Sequence, residues 1–476
     1  MSEDRNNPNF MLDEDGVQEL NFESENDDDQ ARKLRRKKKR KQRTKAVIGL
    51  LVALLLIGGG VTAALYYAGK IGAYQARENR EKEEKKEVVD KILNEEPLTE
   101  VDIDPDSLLG TPGQDVAPEP TQDPEEARLK EDIRSYIDSM SLEDKVAGLF
   151  IVTPEELCNY NTVVKAGDKT RESLETYAVG GLIYFKKNIK NAEQLSQMIE
   201  ETKGMSRYPL FCAIDEEGGS VSRMAEAKLF EKTPGAREIF TAGDVNAAYT
   251  YGNTIGEELS SLGFNMCLGP VCDISADEGA YMYSRTFGDT AETVSEYSAN
   301  MFKGIRDKNV IPCLKHFPGM GSIKADLHKE IGVCDNDIST FENSDFVPFK
   351  RCIDEGANVI MISHMAAPKL TGEDNMPCTL SKKVVTDVLR DELGYEGVII
   401  TDAMNMDVIA QYYDADEAAV RALKAGCDMI LMPENFRTAF AGVINAVNEG
   451  VIDIDRIDHS LERIYRLKLT SGGFMQ

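Results

Sequence analysis

The chain has 476 residues and carries 83 Asp and Glu against 55 Lys and Arg, a formal charge of −28. That length accommodates one large domain with appendages, or about two or three small ones. So acidic a bulk argues against nucleic acid as the main partner, because phosphate binding is driven by cation density.

Taken in chain order, the first 30 positions are acidic, Asn-rich and poor in apolar residues, which predicts disorder. From Arg32 to Lys45 the chain is densely basic, and Ala46 to Ala68 then runs without a charged residue. At ~1.5 Å per residue that stretch is long enough to cross a ~30 Å hydrocarbon core. A cleaved signal peptide is the rival reading, but it needs a short leader and an apolar core of roughly 7–15 residues. The expectation is an uncleaved single-pass anchor at 46–68, with the basic run holding the 1–45 tail in the cytoplasm. Everything beyond it then faces outward from the cell membrane. Residues 69–124 are charged, then rich in Pro, Asp and Gly, and read as a stalk.

From 125 to 476 short apolar runs alternate with longer amphipathic segments. The predicted strands are Ala147–Val152, Gly181–Phe185, Leu210–Ile214, Phe264–Leu268, Ile311–Lys315, Asn358–Ile362, Gly397–Thr401 and Asp428–Met432. Between them lie predicted helices such as Ala192–Lys203, Val245–Leu262, Ala291–Arg306, Lys382–Leu393 and Asp416–Ala425. Such alternation implies βαβ units, a parallel sheet and an α/β fold, here a (β/α)8 TIM-type barrel. A doubly wound open sheet is the rival, although no glycine-rich phosphate loop follows the first strand. The nine cysteines show neither a CxxC pair nor a Cys/His zinc spacing, and Cys212, Cys267 and Cys313 fall inside predicted strands. They read as buried free thiols rather than disulfides.

Barrels of this kind build their sites from residues at the C-terminal ends of the strands. Those ends carry Asp215-Glu216-Glu217 with Arg223 soon after, Asp273 and later Arg285, Lys315-His316, His364 and Asp402. The loop after the fifth strand adds Asp326 and His328. Taken singly, each has an ordinary explanation as a helix cap, surface ion pair or loop residue. Together they make a mouth rich in donors and acceptors, suited to a polyhydroxylated ligand.

The segments MSLEDKVAGLF, VGGLIYF, IDEEGGSVSRM, LGPVCDI, SRTFGD, KHFPGMGSIKADLH, VIMISHM, GVIITDAMNM, AGCDMILMP and RIYRLKL occur in that order. In sequence and spacing, residues from about Met140 to Lys468 resemble the catalytic barrel of glycoside hydrolase family 3, and within it the β-N-acetylglucosaminidase branch. The resemblance implies Asp402 as nucleophile and the Asp326/His328 pair as acid–base dyad. It also implies Asp215, Arg223, Arg285, Lys315 and His316 as sugar-binding residues; His364 is assigned only by its nearness to them. No metal or organic cofactor is expected.

The implied chemistry is coherent. A retaining glycosidase needs an ionised nucleophile and a separate proton donor that later acts as base, and an imidazole oriented by a carboxylate serves near neutrality. The β-glucosidase members of the family take their acid–base carboxylate from a second domain after the barrel. A chain ending at Gln476 is expected to supply it from the barrel itself, which favours the N-acetylglucosaminidase reading. The sequence departs from the branch at Met320, where His is usual, at Ser322, where Asp or Asn is usual, and at Leu327, where Ser or Thr is usual. It also lacks Trp for sugar stacking. The expectation is a retaining enzyme that removes terminal β-linked N-acetylglucosamine, with cell-wall fragments as substrate. Phosphorolysis of the same glycosides and a non-catalytic wall-binding module remain as alternatives.

Overall fold

The structure, a computed structural model, describes residues 124–327 and 331–474. The expected tail, the apolar segment 46–68 and all but the last residue of the stalk lie outside the described residues, as does His328. Among the described residues no helix is long and apolar enough to cross a membrane.

Among the described residues eleven strands are formed: β1 (Phe150–Val152), β2 (Gly181–Tyr184), β3 (Phe211–Ile214), β4 (Glu216–Gly218), β5 (Val221–Ser222), β6 (Met266–Cys267), β7 (Ile311–Pro312), β8 (Leu314–Phe317), β9 (Val359–Ile362), β10 (Val398–Thr401) and β11 (Ile430–Leu431). One sheet has the order β11-β1-β2-β3-β6-β7 and another β10-β9-β8, parallel throughout. Only Cys313 separates β7 from β8, and a parallel bridge between Ile400 and Met429 links β10 to the approach of β11. Apart from the β4–β5 hairpin, the strands are buried along their whole length. That is the pattern of parallel strands covered on both faces, and it explains why they read as continuous apolar runs.

Helices cover the strands and are capped where the sequence supplies a cap. Asn191 Oδ1 accepts from the Gln194 amide ahead of helix Ala192–Met205, and Thr290 Oγ1 does the same for the Thr293 amide ahead of Ala291–Arg306. The helices Val245–Ser261 and Ala291–Arg306 lie backbone to backbone. A Cβ on Gly252, Gly256 or Gly304 would strike the carbonyls of Met301, Ile305 or Tyr249.

Three details differ from the sequence reading. Residues Leu142–Ala147 are helical, capped by Ser141, so the first strand starts at Phe150 rather than Ala147. Lys383–Glu392 is wound as a π-helix. The antiparallel β4–β5 hairpin was not expected. All nine cysteines are free and buried, as read.

Candidate active site

The strand ends open into one cavity of about 470 Å³. Asp215 enters it just after β3, Glu217 from β4, Arg223 from the first turn of the short helix after β5, and Arg285 from the long loop after β6. Lys315 and His316 come from β8, and Asp402 follows β10 directly. The six described residues Asp215, Arg223, Arg285, Lys315, His316 and Asp402 therefore share one cavity, as the sequence reading expected.

Their charges alternate. Arg223 Nη2 lies 3.4 Å from Asp215 Oδ2, and Lys315 Nζ lies 3.0 Å from Asp215 Oδ1 and 2.6 Å from Glu217 Oε1. Arg285 closes the series with a forked pair on Glu217, Nε to Oε2 at 2.9 Å and Nη2 to Oε1 at 2.6 Å. Three cations thus face two carboxylates. Burial alone would push the Glu217 carboxyl up, but Arg285 and Lys315 outweigh it and hold it far below the usual carboxylate range. The same pairing holds the Lys315 ammonium protonated against its burial.

Asp402 sits differently. Its backbone N–H donates to the Ile362 carbonyl at 3.0 Å, which fixes the turn, and its Oδ1 accepts from the Ala403 N–H at 2.7 Å. Desolvation opposes its ionisation. The charges of His316, His364 and Lys315 and the Ala403 amide outweigh that penalty, so its carboxyl is held below its ordinary value. It is built to be an anion at neutral pH.

Asp326 is half-buried, and its charge, with those of Asp402 and Glu217, acts on the phenol of Tyr281 in the cavity wall; burial is the main reason that phenol is pushed up. Leu327, next to Asp326, lines the cavity. The partner expected for Asp326, His328, lies outside the described residues, so the structure locates only Asp326 of the expected pair. His364 does not line the cavity. It is buried behind Asp402, with Nδ1 2.7 Å from Thr379 Oγ1 and Nε2 3.1 Å from the Ala403 carbonyl. Of the substituted positions, Met320 is buried in the cavity wall, where its sulfur meets Ser363 Oγ at 3.6 Å.

Sequence reasoning left three participants without a role. Glu217 and Asp273 were visible as strand-end acids, yet their parts depend on distances. Tyr281 had no pattern to mark it. Among the described residues no group of three or more His, Cys, Asp or Glu side chains is placed to hold a metal ion.

Residues 141–467 match the model of the glycosyl hydrolase family 3 N-terminal domain. The chain belongs to glycosyl hydrolase family 3. Within the family its relatives are β-hexosaminidases. That of Chromobacterium violaceum is 33% identical over 268 residues, covering 55% of this chain and 74% of its own. That of Nitrosomonas eutropha is 31% identical over 268 residues, covering 55% and 76%. Among solved structures, a family 3 β-N-acetylglucosaminidase from Paenibacillus sp. str. FPU-7 superposes with a TM-score of 0.67 at 31% identity, over 71% of this chain and 64% of that one. The chain is therefore a glycoside hydrolase of the β-N-acetylhexosaminidase branch of family 3.

Proposed function

We propose that this family 3 enzyme is a retaining β-N-acetylglucosaminidase, working by double displacement through a covalent glycosyl ester on Asp402. The observation that carries the reading is Asp402 itself: an acid at a strand end, held as an anion, beside a preformed row of alternating charges. In the first step the carboxylate attacks the anomeric carbon while the Asp326/His328 pair protonates the leaving oxygen. In the second the same pair takes a proton from water, whose oxygen bonds to the anomeric carbon as the Asp402 carboxylate leaves, releasing the sugar. Asp215, Arg223, Arg285, Lys315 and His316 hold the sugar hydroxyls; their mutual ion pairs orient them before substrate arrives, so little ordering is left for binding. The β-hexosaminidase relatives support the choice of an N-acetylated sugar. The two parallel sheets, linked through Cys313 and the Ile400–Met429 bridge, are read as arcs of one (β/α)8 barrel. Residues 46–68 are read as a membrane anchor that places this domain outside the cell, where peptidoglycan fragments are the nearest β-N-acetylglucosaminides.

The test is release of aryl alcohol from an aryl β-N-acetylglucosaminide by the full-length chain, with Asp402→Asn as control, with and without phosphate. Turnover in the parent, loss of at least about 1,000-fold in the variant and no need for phosphate are expected, since the nucleophile is removed outright. A folded parent that is silent in both buffers overturns the reading. A phosphate requirement replaces hydrolysis by phosphorolysis.

A further inference from the structure

We infer that Asp273 is a positioning residue that fixes two parts of the site at once: the imidazole of His316 and the start of the loop carrying Asp326. The inference rests on the glycosidase reading above and adds to it a group that does not line the cavity.

Asp273 is fully buried, just after the bridge that pairs Val271 with Lys315. Its Oδ1 accepts from the Met320 backbone N–H at 2.7 Å. Its Oδ2 accepts from the His316 backbone N–H at 3.3 Å and meets His316 Nδ1 at 2.8 Å. Both oxygens already serve as acceptors, so the ring nitrogen facing them carries its hydrogen. That sets the tautomer: Nδ1–H is committed to Asp273, and Nε2 is the ring atom left for the cavity that His316 lines. When the ring is neutral Nε2 presents a lone pair to a sugar hydroxyl, and when it carries the charge that acts on Asp402 its Nε2–H donates to one.

The second bond acts on the loop. Met320 begins the stretch that leads through Gly321 and Ile323 to Asp326. This stretch rests on the chain that follows Asp273. A Cβ on Gly321 would run into the Ile274 carbonyl, and Tyr281 N–H donates to the Ile323 carbonyl at 2.9 Å. Lys324 Nζ pairs with Asp277 at 2.8 Å on the outer side. The loop after β6 is thus the bed on which the acid–base loop lies, and Asp273 pins the head of that bed to both His316 and Met320.

Asp273→Asn tests this with little change of shape. An amide has one oxygen for the three N–H groups that Asp273 accepts, those of Met320, of the His316 backbone and of His316 Nδ1, so its NH2 must face a donor whichever way it turns. The chain has only four histidines, so ¹⁵N-histidine labelling of the full-length protein resolves the ring, assigned by His316→Gln. The parent is expected to show a protonated Nδ1 on His316, and Asp273→Asn to lower kcat/KM on the aryl glycoside about 10- to 100-fold, the usual range for losing the partner that orients a functional histidine. In the double variant, adding Asp273→Asn to His316→Gln should cost much less than in the parent. An unprotonated Nδ1 in the parent, or a kcat/KM of Asp273→Asn within twofold of the parent, overturns the inference. The parent spectrum decides the first point even if the variant does not fold. A parent that shows the expected ring but no turnover sinks the glycosidase reading and leaves the positioning of His316 standing.

Discussion

Replacing Lys315 by Met should destabilise the domain by an amount that its surroundings set. The Lys315 side chain is 3% exposed, and its ammonium neutralises Asp215 at 3.0 Å and Glu217 at 2.6 Å. Removing one partner of a buried ion pair costs about 3–5 kcal/mol, because a charge is left without compensation. Glu217 keeps its fork on Arg285, which places the expected loss near the lower end, at about 3 kcal/mol. With an unfolding entropy of about 2.1 cal/mol/K per residue, a domain of roughly 350 residues should lose about 4 °C of Tm. The pH dependence has a definite sign. Glu217 is depressed below its ordinary 4.5, so its contribution is complete above that pH and is lost as pH falls towards the folded value. Without Lys315 the folded value rises, and acid unfolding should begin at higher pH. Calorimetry of Lys315→Met and of Lys315→Met/Glu217→Gln at pH 7 and pH 5 measures both effects. The double variant also strands the Arg285 guanidinium and should lose further stability at pH 7. A single variant that melts within 1 °C of the parent at pH 7 would refute the claim that this ion pair is uncompensated without its lysine.

Two further substitutions probe other parts of the same region. Burial pushes the Glu216 carboxyl up to about 7, against the donors Ser222 and Met224. A raised acid favours the fold fully below its unfolded value near 4.5 and loses that contribution as pH climbs through 7. Parent stability should therefore fall between pH 5 and 7 by up to about 1.4 kcal/mol per unit from this group. Glu216→Gln should flatten that slope in a Tm-versus-pH series, and an unchanged slope counts against the assignment. Gly321→Ala drives a methyl into the Ile274 carbonyl and must lift the loop carrying Asp326, the proposed acid–base loop, from its bed. A shift of about 1 Å in a catalytic group can cost about 100-fold, so steady-state kinetics should show kcat/KM reduced by that order, with a stability loss of only about 1–3 kcal/mol.

Much of this was legible in the sequence because the strands are buried on both faces. They read as runs rich in apolar residues, several of them closed by a polar residue, and eight such runs fall where the parallel strands lie. Where apolar character continues across a boundary the reading slips. The run from Val146 to Val152 spans a helix end, a turn and a strand, and periodicity cannot divide it. The π-helix at Lys383–Glu392 keeps an amphipathic face, so its altered backbone bonding leaves no mark in the pattern of side chains. The site was legible where a residue closes a strand, as Asp215, Lys315 and Asp402 do. Glu217 and Asp273 stood beside such residues, but their parts follow from which cation or imidazole comes within 3 Å in three dimensions. Tyr281 comes from an irregular loop that no local rule describes.

The two depressed carboxyls of the cavity are not interchangeable, and the difference explains why the nucleophile is assigned to one of them. Glu217 is held ionised by direct contact: both its oxygens receive Arg285 and one also receives Lys315. Its lone pairs are engaged, and leaving those cations to form an ester would strand them buried without a partner. Asp402 is held ionised mainly at one remove, by the charges of His316, His364 and Lys315, with the Ala403 N–H on Oδ1. Charge at a distance stabilises the anion without occupying the electron pair that must attack. It also persists after the ester forms, when it favours return of the negative charge to Asp402 and so release of the sugar. On the proposed mechanism, a row of ion pairs that binds and a carboxylate that reacts would be two uses of one set of cations.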